Sequence, residues 1–163
     1  MAALIAQDRL DRFFQSFITK INQWDENVDR YRDRYAILRA LPLRSILRIM
    51  RAGPEILHLL ISLVNHDEIS RQTKSRVSAA LAYFIFPFDV LPEGIVGPVG
   101  YFDDLVIALM LIDYLLNGDN EQEKAVINEL WQGEPGELEV LRSLVQGINL
   151  VRYVSGKVRR IFS

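Results

Sequence analysis

Four carboxylates fall within sixteen residues near the middle of the chain: Asp89, Glu93, Asp103 and Asp104. Acids at this density hold a hard cation such as Mg²⁺ or Ca²⁺, pair with arginine, or cap helix ends. Four anions converging in a partly apolar setting repel one another unless they are neutralised. The prolines and glycines around them, Pro87, Pro92, Gly94, Gly97, Pro98 and Gly100, predict that regular helix stops and a turn brings the two acid pairs together. In such a turn Asp89 accepts backbone N–H bonds. Asp103 and Asp104 are expected in the first turn of the following helix, where carboxylates meet free amides and the positive dipole end. Pro87, Asp89, Pro92, Glu93, Gly100, Asp103 and Asp104 therefore support two readings that both stay open. One is an acid-capped structural corner; the other is a divalent-cation site with Asp89, Glu93, Asp103 and Asp104 as candidate ligands.

Other site chemistry is poorly supplied. The chain has no cysteine, which excludes thiolate nucleophiles, iron–sulfur clusters and cysteine-ligated zinc. Its two histidines, His58 and His66, lie eight apart and do not match a zinc-ligand spacing. There is no G-x-S-x-G elbow and no phosphate-binding loop, and Gly94-x-x-Gly97-x-x-Gly100 is not a dinucleotide fingerprint. No residue is assigned a catalytic role, no resident cofactor is expected, and the reading favours a non-enzyme.

The elements that position these residues are helices. Across 163 residues, half of them hydrophobic, one helical domain over 1–163 is expected. Leu10, Phe14, Phe17, Ile21, Trp24, Val28, Tyr31, Tyr35 and Leu38 alternate at spacings of four and three, a heptad pattern. It predicts a long helix from about Ala3 to Ala40, within residues 1–41, that packs on the chain's own helices or self-associates. Leu43 to Ala52 reads as a basic amphipathic helix with Arg44, Arg48 and Arg51 on one face. Further helices are predicted over Glu55–Val64, Ile69–Phe86, Tyr101–Leu116, Glu121–Trp131 and Glu137–Ile161, with Asp119 or Asn120 capping the one that starts at Glu121. Leu105 to Ile112 is apolar on every side, the mark of a helix without a solvent face. No β-type alternation competes, so the fold class is all-α: a helical bundle with a heptad-patterned first helix and a central apolar helix–turn–helix hairpin.

Ala82-Tyr-Phe-Ile-Phe-Pro-Phe-Asp-Val-Leu-Pro-Glu93, continuing to Gly100-Tyr-Phe-Asp-Asp104, resembles the signature of the YkvA-like family of domains of unknown function. The resemblance covers about residues 74–116. Glu93 departs from it, since the family usually has Asp there. It implies a small helical domain, often bacterial and commonly membrane-associated, with no established catalytic activity.

Charge is banded. Arg30–Arg76 carries net +6, Val77–Glu139 net −11, and Val140–Ser163 net +5. The apolar run after Met1 ends at Gln7 and Asp8, which predicts no secretory leader. The charge-free stretch Val77–Phe88 spans ~18 Å as helix against a ~30 Å hydrocarbon core, so no simple transmembrane helix is expected. These features point to a cytoplasmic protein peripheral to a membrane. Arg44, Arg48, Arg51 and the basic end of the 137–163 helix, Lys157, Arg159 and Arg160, are expected to face an anionic lipid surface or a membrane protein partner. The hairpin Val77–Leu116 is expected to dip into the interface or dock a hydrophobic partner. A soluble scaffold that oligomerises through the heptad helix is the alternative, and a metal-dependent enzyme on the four acids a third. The acidic band and a pI of about 5.7 argue against nucleic acid as a partner.

Overall fold

Proline at 42 and the Gly53-Pro54 pair set the first two described helices. In the computed structural model, which describes residues 41–90, 93–146 and 148, and their side chains apart from 83–101 and 103, α1 spans Leu43–Arg51 and α2 spans Gly53–Val64. Pro42 precedes α1 with an extended backbone, and Pro54 sits in the first turn of α2, where a missing N–H costs nothing. Asn65 closes α2 by donating its side-chain amide to the Ile61 carbonyl at 2.9 Å.

Four more helices follow: α3 (Arg71–Val90), α4 (Glu93–Leu116), α5 (Glu121–Leu130) and α6 (Glu137–Gln146). There is no strand among the described residues, and the all-α expectation holds. Ser70 opens α3, its hydroxyl accepting the Thr73 N–H at 3.2 Å. Asn120 caps α5 by accepting the Glu123 N–H at 3.1 Å. The chain turns into α6 through Gly136, whose φ of 81° is a left-handed value that favours glycine.

The bundle is organised around α4, which touches every other described helix. From Asp104 to Leu109, and again at Leu111 and Ile112, no residue is more than 3% exposed. Leu59, Leu60 and Leu63 of α2, Ile46 and Ile49 of α1, Ile127 of α5 and Leu141 of α6 join the same core. The all-apolar reading of Leu105–Ile112 is thus realised as a central helix. Its cover over this stretch is protein, with α1, α2, α3, α5 and α6 all in contact with α4.

The helix ends near the prolines differ from expectation. Regular helix does not stop at Phe86: α3 continues through Pro87 to Val90, and α4 begins at Glu93 rather than Tyr101, running through Gly94, Gly97, Pro98 and Gly100. A proline ring fixes φ near a helical value and removes one ladder bond, so it weakens a helix without forbidding it. A helix anchored along its length by tertiary packing tolerates local residues that would end an isolated one. The expected long helix over Ala3–Ala40 and the C-terminal part of the last helix, residues 149–163, lie outside the described residues.

Candidate functional site

The chemistry-bearing side chains gather in three places, each set by a helix end. At the first, the N-termini of α3 and α5 face one another with a single carboxylate between them. Glu123, the third residue of α5, is 5% exposed. Its Oε1 accepts the backbone N–H of Ser70 at 2.8 Å, and its Oε2 accepts the Thr73 hydroxyl at 3.0 Å. The Ser70 hydroxyl donates in turn to Thr73 Oγ1 at 3.1 Å. An anion placed at two helix N-termini meets both positive dipole ends. The buried acid is satisfied by these donors, which makes the arrangement a structural clamp.

The second place lies between α4 and α6. Arg142 donates from Nε to Asp113 Oδ1 at 2.9 Å, from Nη1 to Glu139 Oε2 at 2.7 Å, and from Nη2 to Asn117 Oδ1 at 3.2 Å. Asp113 also accepts from Asn117 Nδ2 at 3.1 Å and Gln146 Nε2 at 3.0 Å. The Arg142 and Asp113 side chains are only 12% and 19% exposed, so the pair is screened from water and its hydrogen bonding is filled from several sides. Beside it the Arg76 guanidinium stands 5.2 Å from the Tyr114 ring centre. An open groove of about 590 Å³ runs past Arg76, Tyr114, Asp113 and Glu123.

The third place is basic. Arg44, Arg48 and Arg51 lie along the exposed side of α1, while Ile46, Ile49 and Met50 of the same helix are buried. The three arginines line a concavity of about 370 Å³ together with Ala52, Glu55 and Glu137. Arg48 Nε stands 3.7 Å from Glu137 Oε1, with half of the arginine side chain exposed.

The sequence-predicted acids are distributed along two helices. Asp89 belongs to the last turn of α3, and Glu93 is the first residue of α4. Asp103 and Asp104 do not open a helix, as expected of them; they come ten and eleven residues after Glu93 in the same helix, about 15 Å further along its axis. Their amides belong to the helical ladder, so first-turn capping is replaced at these positions. Asp104 is buried, at 3% exposure. The side chains of Asp89, Glu93 and Asp103 lie outside the described ones, as do Pro87, Pro92 and Gly100, and so do Lys157, Arg159 and Arg160. Among the described residues no group of three or more metal-ligating side chains is assembled. His58 Nδ1 lies 3.4 Å from Ser62 Oγ, one turn away on α2, a contact within one helix.

Sequence reading missed Glu123, Thr73, Asp113 and Arg142. Two signals were available. Asn120-x-x-Glu123 has the spacing of a capping box, and Asp113 is a lone charge following the apolar run Leu105–Ile112.

Comparison with known proteins places the resemblance on α3 and α4. Residues 73–110 match the model of a family described as "Protein of unknown function (DUF1232)". An "Uncharacterized protein ORF9" of Methanothermobacter thermautotrophicus is 32% identical over 81 residues, half of this chain and 53% of that protein. The "E3 ubiquitin-protein ligase RNF170" of Danio rerio is 46% identical over 39 residues, 24% of this chain and 15% of the ligase. The chain thus spans about half the length of the first of these relatives and a smaller share of the second. No solved structure matches significantly. The segment from Thr73 to Met110 thus matches the model of a small domain of unknown function, and the YkvA-like resemblance is consistent with that match.

Proposed function

We propose that this is a non-enzymatic helical protein that attaches peripherally to an anionic membrane surface, by charge rather than by insertion. The observation that carries the reading is the row Arg44, Arg48 and Arg51 along the exposed side of α1. The apolar side of that helix is engaged in the core through Ile46, Ile49 and Met50, so α1 has no greasy face left to bury in lipid. Its contribution is electrostatic, ~1 kcal/mol per arginine near an anionic surface. No described helix is long and apolar enough to cross a membrane, which agrees with attachment from one side. The matches are to parts of proteins with different printed names, which suits a supporting module better than a shared reaction.

Flotation with phosphatidylcholine vesicles, with and without phosphatidylglycerol, tests the reading. The protein is expected to float only with the anionic vesicles and to be released by high salt, which screens the attraction. The R44Q/R48Q/R51Q variant should stay in the soluble fraction. A wild-type chain that remains soluble with both vesicle types overturns the proposal.

A further inference from the structure

We infer that Glu137 is a built-in competitor of the membrane for Arg48: its carboxylate holds the middle arginine of the α1 row until a sufficiently anionic surface displaces it. The inference rests on the membrane reading above and adds to it a contact within the fold that holds attachment in check.

Glu137 is far from the row in sequence and opens α6, where a carboxylate is favoured by the positive end of the helix dipole. Docking of α6 against α1 brings it to Arg48, with Oε1 standing 3.7 Å from Nε. Glu137 lines the same hollow as Arg44, Arg48 and Arg51, so a surface that approaches the row also meets this acid. Glu55 is a second acid in the lining, and three arginines against two glutamates leave a local net charge of only +1. The hollow is therefore no ready-made anion site; its acids oppose lipid and its arginines attract it. The Arg48 and Glu137 side chains are 49% and 25% exposed. An ion pair this open and this long adds little to stability, so it restrains the arginine without locking it. A dense array of lipid phosphates offers Arg48 better acceptors for its forked N–H groups and takes it over. On a weakly charged surface the pair stays closed, which makes attachment depend on the anionic content of the membrane.

Quantitative binding of the full chain to phosphatidylcholine vesicles of rising phosphatidylglycerol content tests this. E137Q keeps the size of the side chain and removes its charge. It should bind about fivefold more tightly than the wild type, the equivalent of ~1 kcal/mol for one charge at the surface, and at a lower phosphatidylglycerol content. E129Q makes the same change in net charge at an exposed position of α5 outside the hollow. It should stay within about twofold of the wild type, because charges beyond a screening length of the surface contribute little. In an R48Q background E137Q should gain less than in the wild-type chain, since the arginine it restrains is gone. Circular dichroism establishes that each variant is folded. Equal gains from E137Q and E129Q, or a gain from E137Q undiminished by R48Q, overturn the competitor and leave charge-driven attachment standing. An E137Q variant that binds no more tightly than the wild type does the same. Failure of both the wild type and E137Q to bind at every phosphatidylglycerol content overturns the membrane reading and this inference with it.

Discussion

The backbone N–H of Ser70 donates to Oε1 of Glu123 at 2.8 Å, joining positions 53 residues apart. In a capping box the acid at the third helical position reaches back to the amide of its own cap. Here Asn120 supplies the cap of α5, and Glu123 reaches instead to the start of α3. One carboxylate thereby serves two helix beginnings, and α3, the helix in which the DUF1232 match starts, is pinned to α5 outside it.

Glu123→Ala removes both acceptor oxygens and leaves the Ser70 amide and Thr73 hydroxyl without their partner. Urea unfolding should show a loss of about 1–3 kcal/mol. Glu123→Gln should cost less, because its amide still offers an oxygen to Ser70 and an NH₂ to Thr73. Wild-type stability in the alanine variant would show that the clamp does not hold the fold.

Arg142→Met should destabilise by about 1–3 kcal/mol, since Asp113 keeps Asn117 and Gln146 but loses its counter-charge in a largely dry setting. The D113N/R142M double variant should recover part of that loss. A double-mutant cycle measures the coupling directly, and a coupling near zero would mean that α6 is held by its apolar residues alone.

Leu109, fully buried in α4, tests what covers the central helix. Leu109→Ala should lower stability by about 2–5 kcal/mol through lost contacts and a residual cavity. The unfolding slope should match the wild type, with the wild-type chain folded cooperatively in detergent-free buffer. A chain that folds only with detergent or lipid would show that α4 is not covered by its own neighbours.

Several outcomes were legible in the residues because they depend on near neighbours. The all-helical class follows from apolar spacing, the solvent-free character of Leu105–Ile112 from its composition, and the Asn120 cap from a local hydrogen bond. The basic row of α1 is likewise a matter of helical periodicity. The stops assigned to Pro87 and to Gly94–Gly100 fail for the converse reason: proline and glycine weigh on local propensity, a weak bias that tertiary context overrides in α3 and α4.

Composition and periodicity alone determined that this chain forms helices, which of them carries arginines outward and which has no polar side. Only the tertiary structure decided that the Leu105–Ile112 stretch of α4 is covered by protein and that Asp103 and Asp104 come in mid-helix rather than at a helix start. It alone joined Ser70 to Glu123 and Asp113 to Arg142. Those pairings bridge residues dozens of positions apart, and the angle and depth at which helices dock arise from the fit of many side chains at once, which no short window of sequence contains.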